Sequence, residues 1–356
     1  MTSVFVSAWV GAGNLGDELL LRRLHDRLRS AGADEITVVS LDPSATEALH
    51  PVRAVHPRAL HRVVRAIRRA DLVVVGPGGL LQDASSPFNL PYQLHRAMLA
   101  RATRTPVLGM GLGADPMHRR GSGALLRLGL GGADAIAVRD EPSRTVLDPH
   151  RVTAHATADL ALATPTPDGG EPSPTLVVSL RPWRTGGRVP VRWQRHALSD
   201  EQVAATATAL DQIARDQDLA IRFVAFEPHT DHPLHLAIAE RMEEASTCVV
   251  PTLDELVDIV ADSRAVVATR YHAAIVGVVA ERPVTAIGYA PKVRALADDL
   301  GAAMPIVTDD TTGLAQLPAA VAGALAVDAT ERRSGLATLR DREAANAALI
   351  AQALAR

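Results

Sequence analysis

Short apolar runs alternate with amphipathic stretches from one end of this 356-residue chain to the other. Such alternation is typical of βα units, in which parallel strands are buried beneath covering helices. A chain of this length exceeds one ordinary core and fits two domains of similar size. Because aromatic residues make up only 3% of the sequence, both cores must be filled mainly by Ala, Val and Leu, which suits parallel sheets.

The pattern predicts two sets of strands and helices. In the first half, strands are predicted near residues 3–9, 35–40, 71–75, 106–110, 134–138 and 153–156, with helices between them. In the second half, strands are predicted near 175–180, 221–226, 265–269 and 284–288, and helices near 199–216, 253–261, 271–280 and 311–326. No internal repeat is apparent.

We therefore predict an α/β fold with two Rossmann-like domains, whose mostly parallel sheets face each other across a cleft as in the GT-B class. The N-terminal domain is predicted over residues 1–163 and the C-terminal domain over 175–330. Residues 164–174 are rich in Pro and Gly and predict a linker. Residues 331–356 predict an Ala-rich helix that could cross back to the first domain.

Composition argues against several classes of protein. A formal net charge of -3 and 22% charged residues indicate neither disorder nor a nucleic-acid partner. The single cysteine, Cys248, precludes an intramolecular disulfide and suits a reducing compartment. Residues 1–10 predict a strand rather than a signal peptide, and no apolar run reaches the roughly 18 residues of a membrane span. We expect a cytoplasmic protein; the sequence leaves its oligomeric state open.

Basic residues are concentrated in the first half, because residues 51–130 carry 12 Arg but only three acidic residues. Within this segment, residues 58–69 predict a basic amphipathic helix whose inward residues are Leu60, Val63, Val64 and Ile67. Such a helix usually presents a solvated face, but it could also rest on anionic lipid at the inner membrane surface.

Glycines follow three of the predicted strands in the first half, in residues 11–16, 76–79 and 109–113. Ligands of such sheets bind beyond the carboxyl ends of the strands, and glycine lets a ligand approach the backbone closely.

Residues 11–16 match the G-x-G-x-x-G pattern of a nicotinamide dinucleotide site. Asp17 and Glu18 argue against this site, because two carboxylates in the first helical turn would repel a pyrophosphate. A tight turn capped by Asn14 and Asp17 is one alternative. The other is a carboxylate that holds a sugar hydroxyl or accepts its proton.

Arg139 follows the predicted strand at 134–138, and Asp140 is a predicted helix N-cap. Arg139 is therefore expected to reach the carboxyl edge of the sheet. A surface ion pair with Asp140 or Glu141 and a clamp on a substrate carboxylate or phosphate are both open at this stage.

In the second half, Arg270 and His272 follow the apolar run 265–268 and begin a predicted helix, whose N-terminus attracts anions. A lone histidine is more often a bystander than a catalyst, although this one lies at a strand end. Lys292 also lies at a predicted helix N-terminus, and it is the only lysine in the chain. The compact ammonium group of Lys292 could bind a phosphate as a point charge. The alternative is that this single lysine remains in the sequence by chance.

Two further segments carry residue types that bind ligands. Trp183 follows a predicted strand and is a candidate platform for stacking a sugar, with a half-buried tryptophan as the alternative. Residues 227–232, with the sequence EPHTDH, contain metal-binding residue types. Their spacing matches neither a Cys/His zinc site nor H-E-x-x-H, so a turn at a strand end is favoured.

Taken together, six segments resemble the polysaccharide pyruvyl transferase family in their residues and order. They are Gly13-Asn-Leu-Gly-Asp-Glu18, Gly76-Pro-Gly-Gly-Leu-Leu-Gln-Asp83, Val138-Arg-Asp140 with Ser143, Thr157-Ala-Asp159, Arg270-Tyr-His-Ala273 and Pro291-Lys-Val293. Pro77 departs from the commonest family pattern, which has glycine there, and this changes the expected shape of that loop.

The resemblance implies a transferase that moves the enolpyruvyl unit of phosphoenolpyruvate to a sugar and closes it as a pyruvate ketal on two hydroxyls. By similarity, the donor site contains Arg139, His272 and Lys292. Phosphoenolpyruvate is the donor substrate, and neither a cofactor nor a metal is expected. The acceptor, which could be a sugar, a glycan or a lipid-linked saccharide, does not follow from the fold.

The expected roles are as follows. Arg139 and Arg270 would fork onto one anionic group of the donor, while Lys292 and helix N-termini hold the other. His272 would protonate the methylene carbon as a general acid. The acceptor side is expected to contain Asn14, Asp17, Glu18, Gly78, Gly79, Asp83 and Trp183. A nucleotide-sugar glycosyltransferase of the GT-B class and a non-catalytic carbohydrate-binding protein are the alternative functions.

Overall fold

The structure is a computed structural model that describes residues 1–84, 86–168, 170–183 and 198–355. The chain divides into two compact units. The first contains Met1–Ala163 and Arg340–Arg356, and the second contains Thr164–Leu339.

The described part of the first unit forms an eight-stranded parallel sheet. Its strands are β1 (Ser3–Ser7), β2 (Glu35–Val39), β3 (Arg53–Val55), β4 (Leu72–Val75), β5 (Gly78–Leu81), β6 (Val107–Ala114), β7 (Ala135–Val138) and β8 (His155–Ala156). Its helices are α1 (Leu15–Ser30), α2 (Pro43–Leu49), α3 (Leu60–Arg69), α4 (Asn89–Ala102), α5 (Ser122–Leu130) and α6 (Glu141–Leu147). The strand order is β3-β2-β1-β4-β6-β7-β8, and β5 pairs with β6.

The second unit has a six-stranded parallel sheet in the order β11-β10-β9-β12-β13-β14, counted over its described residues. The strands are β9 (Ser173–Ser179), β10 (Ala220–Val224), β11 (Ser246–Val249), β12 (Ser263–Ala268), β13 (Val284–Ile287) and β14 (Ile306–Val307). The helices are α7 (Asp200–Gln217), α8 (Pro228–Ala239), α9 (Leu256–Ala261), α10 (Tyr271–Val279), α11 (Pro291–Leu300), α12 (Thr311–Ala326) and α13 (Ala329–Leu354).

Both sheets confirm the predicted Rossmann-like fold, because each places its first strand beside its fourth. The order of the strands therefore reverses between β1 and β4 in one sheet and between β9 and β12 in the other. At such a reversal the following loops diverge and leave a crevice at the carboxyl edge, where ligands of this fold bind.

Each unit has its own apolar core. All four residues of β4 are buried, as are most residues of β9 and β12, because helices cover both faces of a parallel sheet. Valine, leucine and alanine supply most of these side chains. The last helix, α13, begins in the second unit, and from Arg340 onward its residues belong to the first. There Asn346 Nδ2 donates to the carbonyl oxygen of Ala158 at 3.0 Å.

Several local predictions were wrong. The strands β3, β5, β11 and β14 were not predicted, because their short, glycine-containing or polar sequences lack strand periodicity and depend on pairing with a neighbour. The strand β9 begins at Ser173, within the predicted linker. Leu60 is 63% exposed at the start of α3 and does not face inward, whereas Val63 and Ile67 are buried.

No described helix is by itself long and apolar enough to cross a membrane. The helices α12 and α13 meet the criteria of length and composition only as a pair, and that pair is bent by 90°.

Candidate active site

Cationic side chains follow three neighbouring strands of the second sheet. Arg181 follows β9, Arg270 follows β12, and Lys292 lies in the first turn of α11, after β13. Because β9, β12 and β13 are adjacent and parallel, their carboxyl ends meet at one edge of the sheet, which includes the reversal of strand order.

Tyr289 lies among these cations. Arg181 Nη1 donates to the Tyr289 hydroxyl at 3.3 Å, and the guanidinium carbon lies 5.5 Å from the ring centre. Burial alone would raise the pKa of this hydroxyl. The positive charges of Lys292, Arg181 and Arg270 outweigh burial and hold the pKa of Tyr289 below its ordinary value. The electrostatic potential at this edge of the sheet therefore favours an anion.

Arg181 differs from Arg270 in that no described carboxylate pairs with it. None of the ion pairs among the described residues includes Arg181, and its Nε is buried without a hydrogen-bond partner in that part of the chain. Its backbone N–H donates to Thr269 Oγ1 at 2.8 Å, which ties the loop after β9 to the loop after β12. Arg181 was not among the residues predicted for the site, although it follows a buried strand much as Arg139 does.

His235 holds the backbone directly before Arg181. Its Nε2 lies 2.9 Å from the carbonyl oxygen and 3.2 Å from the amide nitrogen of Leu180. The ring stacks on Phe223 with centroids 5.1 Å apart. Burial lowers the pKa of His235 to about 4, so the ring is neutral near pH 7. A neutral, fully buried ring thus fixes the start of the loop that carries Arg181.

The protein itself already binds two of the three guanidinium nitrogens of Arg270, and the predicted fork onto a substrate stays a prediction. Arg270 is only 6% exposed, and its Nε donates to both carboxylate oxygens of Asp231 at 3.1 and 2.9 Å. Its Nη2 donates to Glu227 Oε2 at 2.8 Å and to Thr230 Oγ1 at 2.9 Å. Arg270 is therefore a support for the loop after β12.

Residues 227–232 contain the side chains that accept the hydrogen bonds of Arg270. Asp231 is fully buried and also accepts hydrogen bonds from the backbone N–H groups of Phe226 and Glu227, at 3.0 and 2.9 Å. The helix α8 begins within the segment, at Pro228. Across the described ranges of the chain, no group of three or more His, Cys, Asp or Glu residues could hold a metal ion.

His272 and Lys292 share one aromatic neighbour, Tyr271. The His272 ring meets the Tyr271 ring edge to face, with centroids 5.4 Å apart, and Lys292 Nζ lies 5.7 Å from the centre of the same ring. His272 is in the first turn of α10, whose N-terminus favours negative charge. The structure thus brings together two of the predicted donor-site residues; their catalytic roles stay predictions.

In the first unit, Arg139 is buried at the end of β7 between two carboxylates. Its Nε donates to Asp140 Oδ2 at 3.3 Å, and its Nη1 lies 3.9 Å from Asp159 Oδ2. The ion pair with Asp140 that the sequence left open is therefore present, but it is buried rather than at the surface. The guanidinium lies against the glycine edge, since a Cβ on Gly113 would be 2.5 Å from Nη2. Its role as a substrate clamp stays a prediction.

Four predicted acceptor residues also lie at the glycine edge of the first sheet. Asn14 Oδ1 accepts from the backbone N–H of Gly16 at 3.0 Å and caps α1. Asp17 Oδ1 lies 3.8 Å from the place where a Cβ on Gly78 would be. A Cβ on Gly79 would lie 3.6 Å from Arg139 Nη2. These positions keep Asp17, Gly78 and Gly79 as candidates for contact with an acceptor.

The prediction that Glu18 contacts an acceptor was wrong. Glu18 is buried, and its Oε1 accepts from the backbone N–H of Gly11 at 2.9 Å. Its other carboxylate oxygen lies 2.9 Å from His50 Nε2. Glu18 therefore stabilises the glycine turn from the buried side. It accepts the backbone N–H of Gly11, which is thus not available to a ligand of the G-x-G-x-x-G loop.

The prediction that Asp83 contacts an acceptor was also wrong. This carboxylate is buried and accepts from the backbone N–H groups of His118 and Arg119 and from Ser122 Oγ, at 2.7 to 3.0 Å. Burial would raise the pKa of Asp83, but these hydrogen bonds lower it below the ordinary value. Asp83 orders the segment before α5 instead of contacting an acceptor.

Trp183 is not a stacking platform either, because it is only 2% exposed and belongs to the core of the second unit. Its Nε1 donates to the carbonyl oxygen of Asp309 at 2.9 Å, and Gln202 Nε2 donates to the same oxygen at 3.1 Å. The alternative that the sequence left open was a half-buried tryptophan, and the structure buries Trp183 more completely than that.

The family model for polysaccharide pyruvyl transferases matches residues 14–291. The chain belongs to the polysaccharide pyruvyl transferase family. The match begins in the loop after β1 and ends at the first residue of α11, so it includes the strands β2 to β13. No curated protein sequence matches the chain.

Solved structures similar to this pyruvyl transferase family member have GT-B-like folds. The S. aureus MnaA–UDP co-structure has 9% identity and a TM-score of 0.60, with 94% of each chain covered. A glycosyltransferase from Rickettsia africae has 12% identity and a TM-score of 0.60, covering 99% of this chain and 96% of its own. UDP-GlcNAc 2-epimerase from Neisseria meningitidis, bound to UDP-GlcNAc, has 10% identity, a TM-score of 0.57 and coverages of 96% and 99%. At these identities the likeness concerns the fold alone.

Proposed function

We propose that this chain transfers the enolpyruvyl unit of phosphoenolpyruvate to two hydroxyls of a sugar or glycan, releasing phosphate and leaving a pyruvate ketal. Family membership supports the reaction class. The observation that carries the choice of donor is the cationic edge of the second sheet, where Arg181 Nη1 donates to the Tyr289 hydroxyl at 3.3 Å and Lys292 Nζ lies 5.7 Å from the centre of the Tyr271 ring. A donor with one carboxylate and one phosphate matches two cations at such an edge.

Each group has a role that follows from its chemistry. Arg181 presents a planar fork that suits the carboxylate, while the ammonium of Lys292 suits the phosphate as a point charge. Arg270 holds its loop in place through Asp231. His272, at the N-terminus of α10, is the proton donor.

The atoms of the proposed reaction balance without an oxidant or a reductant. His272 donates a proton to the methylene carbon of phosphoenolpyruvate, and the adjacent carbon gains carbocation character. A sugar hydroxyl oxygen bonds to this carbon, the bond from the carbon to the phosphate oxygen breaks, and a second hydroxyl closes the ketal. Of the two hydroxyl protons, one leaves with phosphate and the other restores His272.

Loss of the Arg181 guanidinium tests the donor site. We expect Arg181→Ala to weaken phosphoenolpyruvate binding by about 10- to 100-fold, because a hydrogen bond to a charged group contributes about 1.5–3 kcal/mol. Binding is measured as the rise in unfolding temperature with ligand concentration. Arg215→Ala is the matched control, since Arg215 is an exposed, ion-paired arginine near the end of α7.

Two results would count against this donor site. One is an equal response of the Arg181→Ala and Arg215→Ala variants to phosphoenolpyruvate. The other is stronger stabilisation of the wild-type protein by UDP-GlcNAc than by phosphoenolpyruvate at equal concentration, which would favour a nucleotide-sugar glycosyltransferase.

Gly113→Ala tests whether the position of Arg139 matters. The new Cβ would lie 2.5 Å from Nη2 and 2.7 Å from Cζ of Arg139, so the guanidinium must move. We expect phosphate release from phosphoenolpyruvate to fall by about 100-fold, the scale of a small misplacement in an active site. Gly323→Ala in α12 is the control, because nothing lies within 4 Å of its added Cβ. Equal activities of the two variants would make Arg139 a structural residue only.

A further inference from the structure

A groove of about 560 Å³ lies at the carboxyl edge of the first sheet, apart from the residues discussed so far. Trp9 follows β1, Leu41 follows β2 and Pro57 follows β3, while Phe88 and Tyr92 come from the start of α4. A volume of this size is within the range of pockets that bind small organic ligands.

Aromatic side chains are concentrated in this groove. The whole chain has three Trp, three Tyr and four Phe, and the groove is lined by one of each. Trp9 is 38% exposed and Phe88 is 77% exposed, so neither ring is used mainly to fill the core. Exposed aromatic rings that share one concave surface are typical of a binding site rather than of packing.

The side chains of Tyr92 and Arg96 hold the Trp9 ring in position. Tyr92 meets it edge to face, with centroids 6.2 Å apart and an interplanar angle of 76°. The guanidinium carbon of Arg96 lies 4.7 Å from the centre of the Tyr92 ring. Arg96 is itself buried, and its Nη1 lies within 3.3 Å of Ser7 Oγ at the end of β1. A buried cation thus fixes Tyr92, which in turn supports Trp9, so the surface is preorganised.

We infer that this groove binds a sugar ring of the acceptor by stacking it on Trp9. An exposed, rigid aromatic face suits the C–H face of a sugar ring, and His56, Arg58 and Ser86 supply polar groups that could meet its hydroxyls. The inference rests on the proposed function and names the acceptor class of that same activity.

The position of the groove determines which sugar ring it binds. From β1 to β7, which carries Arg139, the sheet takes three steps, through β4 and β6. At about 4.8 Å a step, the two strand ends are about 14 Å apart. One sugar ring cannot reach both positions. The groove therefore takes a different ring from the one that is ketalised, and the acceptor is a disaccharide or a longer glycan.

Trp9→Ala and Trp9→Phe provide the test, with three matched pairs of acceptors: lactose and galactose, cellobiose and glucose, and N,N′-diacetylchitobiose and N-acetylglucosamine. For a pair that supports phosphate release, we expect Trp9→Ala to lower kcat/KM for the disaccharide by about 10-fold and to leave the monosaccharide unchanged. Trp9→Phe, which keeps an aromatic face, should retain most of the activity. Stabilisation by phosphoenolpyruvate should be the same in all three proteins.

A second measurement separates this inference from the proposed function. Saturable binding of a disaccharide, measured by calorimetry, should be lost in Trp9→Ala even when no acceptor of the panel supports phosphate release. Absence of saturable binding to the wild-type protein would overturn the inference, as would equal losses for the two members of a pair. Protection of Trp9 fluorescence from acrylamide by vesicles of phosphatidylglycerol, but not by the disaccharides, would assign the groove to lipid instead.

Discussion

Replacement of His272 by alanine should lower the turnover of phosphate release by about 100-fold or more, the usual contribution of a positioned general acid. Binding of phosphoenolpyruvate should persist, because Arg181 and Lys292 remain at the same edge of the sheet. The variant should therefore have a low kcat and a near-normal response of its unfolding temperature to the donor. Steady-state kinetics and thermal unfolding together measure both quantities.

His229→Ala is the control for this experiment, because His229 is an exposed histidine in the first turn of α8, in the same unit. It should leave kcat unchanged. If His272→Ala retains near-normal turnover, His272 is not the proton donor. If the donor no longer stabilises the variant, His272 contributes to binding rather than to proton transfer.

Asp231→Ala should lower the free energy of unfolding more than the other substitutions proposed for this protein. It removes the main partner of a guanidinium that is only 6% exposed, and it also removes the acceptor of two backbone hydrogen bonds. Breaking a buried ion pair by removing one partner costs about 3–5 kcal/mol. The loss is measured as a lower midpoint of urea unfolding.

Asp200→Ala is the matched control, since Asp200 also pairs with an arginine but its side chain is 96% exposed. Exposed pairs contribute little to stability, so the midpoint of this variant should barely move. Equal midpoints for the two variants would show that Glu227 alone is enough to hold Arg270. A large loss of donor binding in a folded Asp231→Ala protein would show that Arg270 positions the loop after β12.

The two sheets could be predicted because the alternation of apolar runs and amphipathic stretches is a local property of the sequence. That alternation also fixes where each strand ends, and this is why His272, Lys292 and Arg139 could be chosen as candidates. The strand β5 was missed because two of its four residues are glycine, and its pairing with β6 comes from residues about 30 positions further along the chain.

The partners of the charged residues could not be predicted. Arg181 and Arg270 look alike in the sequence, since each follows a buried strand by two residues. Asp231, 39 residues from Arg270, neutralises that guanidinium, whereas no carboxylate pairs with Arg181 in the described part of the chain. Such pairings depend on the tertiary fold and leave no local signal.

The tryptophans show the same limit. Trp183 was chosen as a stacking platform, but Asp309, 126 residues away, accepts its indole N–H inside the core. Of the two tryptophans that the structure describes, the exposed one is Trp9, which the sequence placed only within the first strand. Whether an aromatic ring faces solvent depends on which helices cover its strand end, and the local pattern does not contain that information.

The arrangement of these loops has a consequence for how such a protein diverges. Arg181, His272 and Lys292 follow three separate strands of the second sheet, and the Trp9 groove is built from loops of the first. Insertions and substitutions in the loops of the first sheet, which build the Trp9 groove, do not directly remove the hydrogen bonds that hold the loops of the second sheet. Under the proposed function, changes in the loops of the first sheet would alter the glycan that is modified without altering the residues that hold the donor.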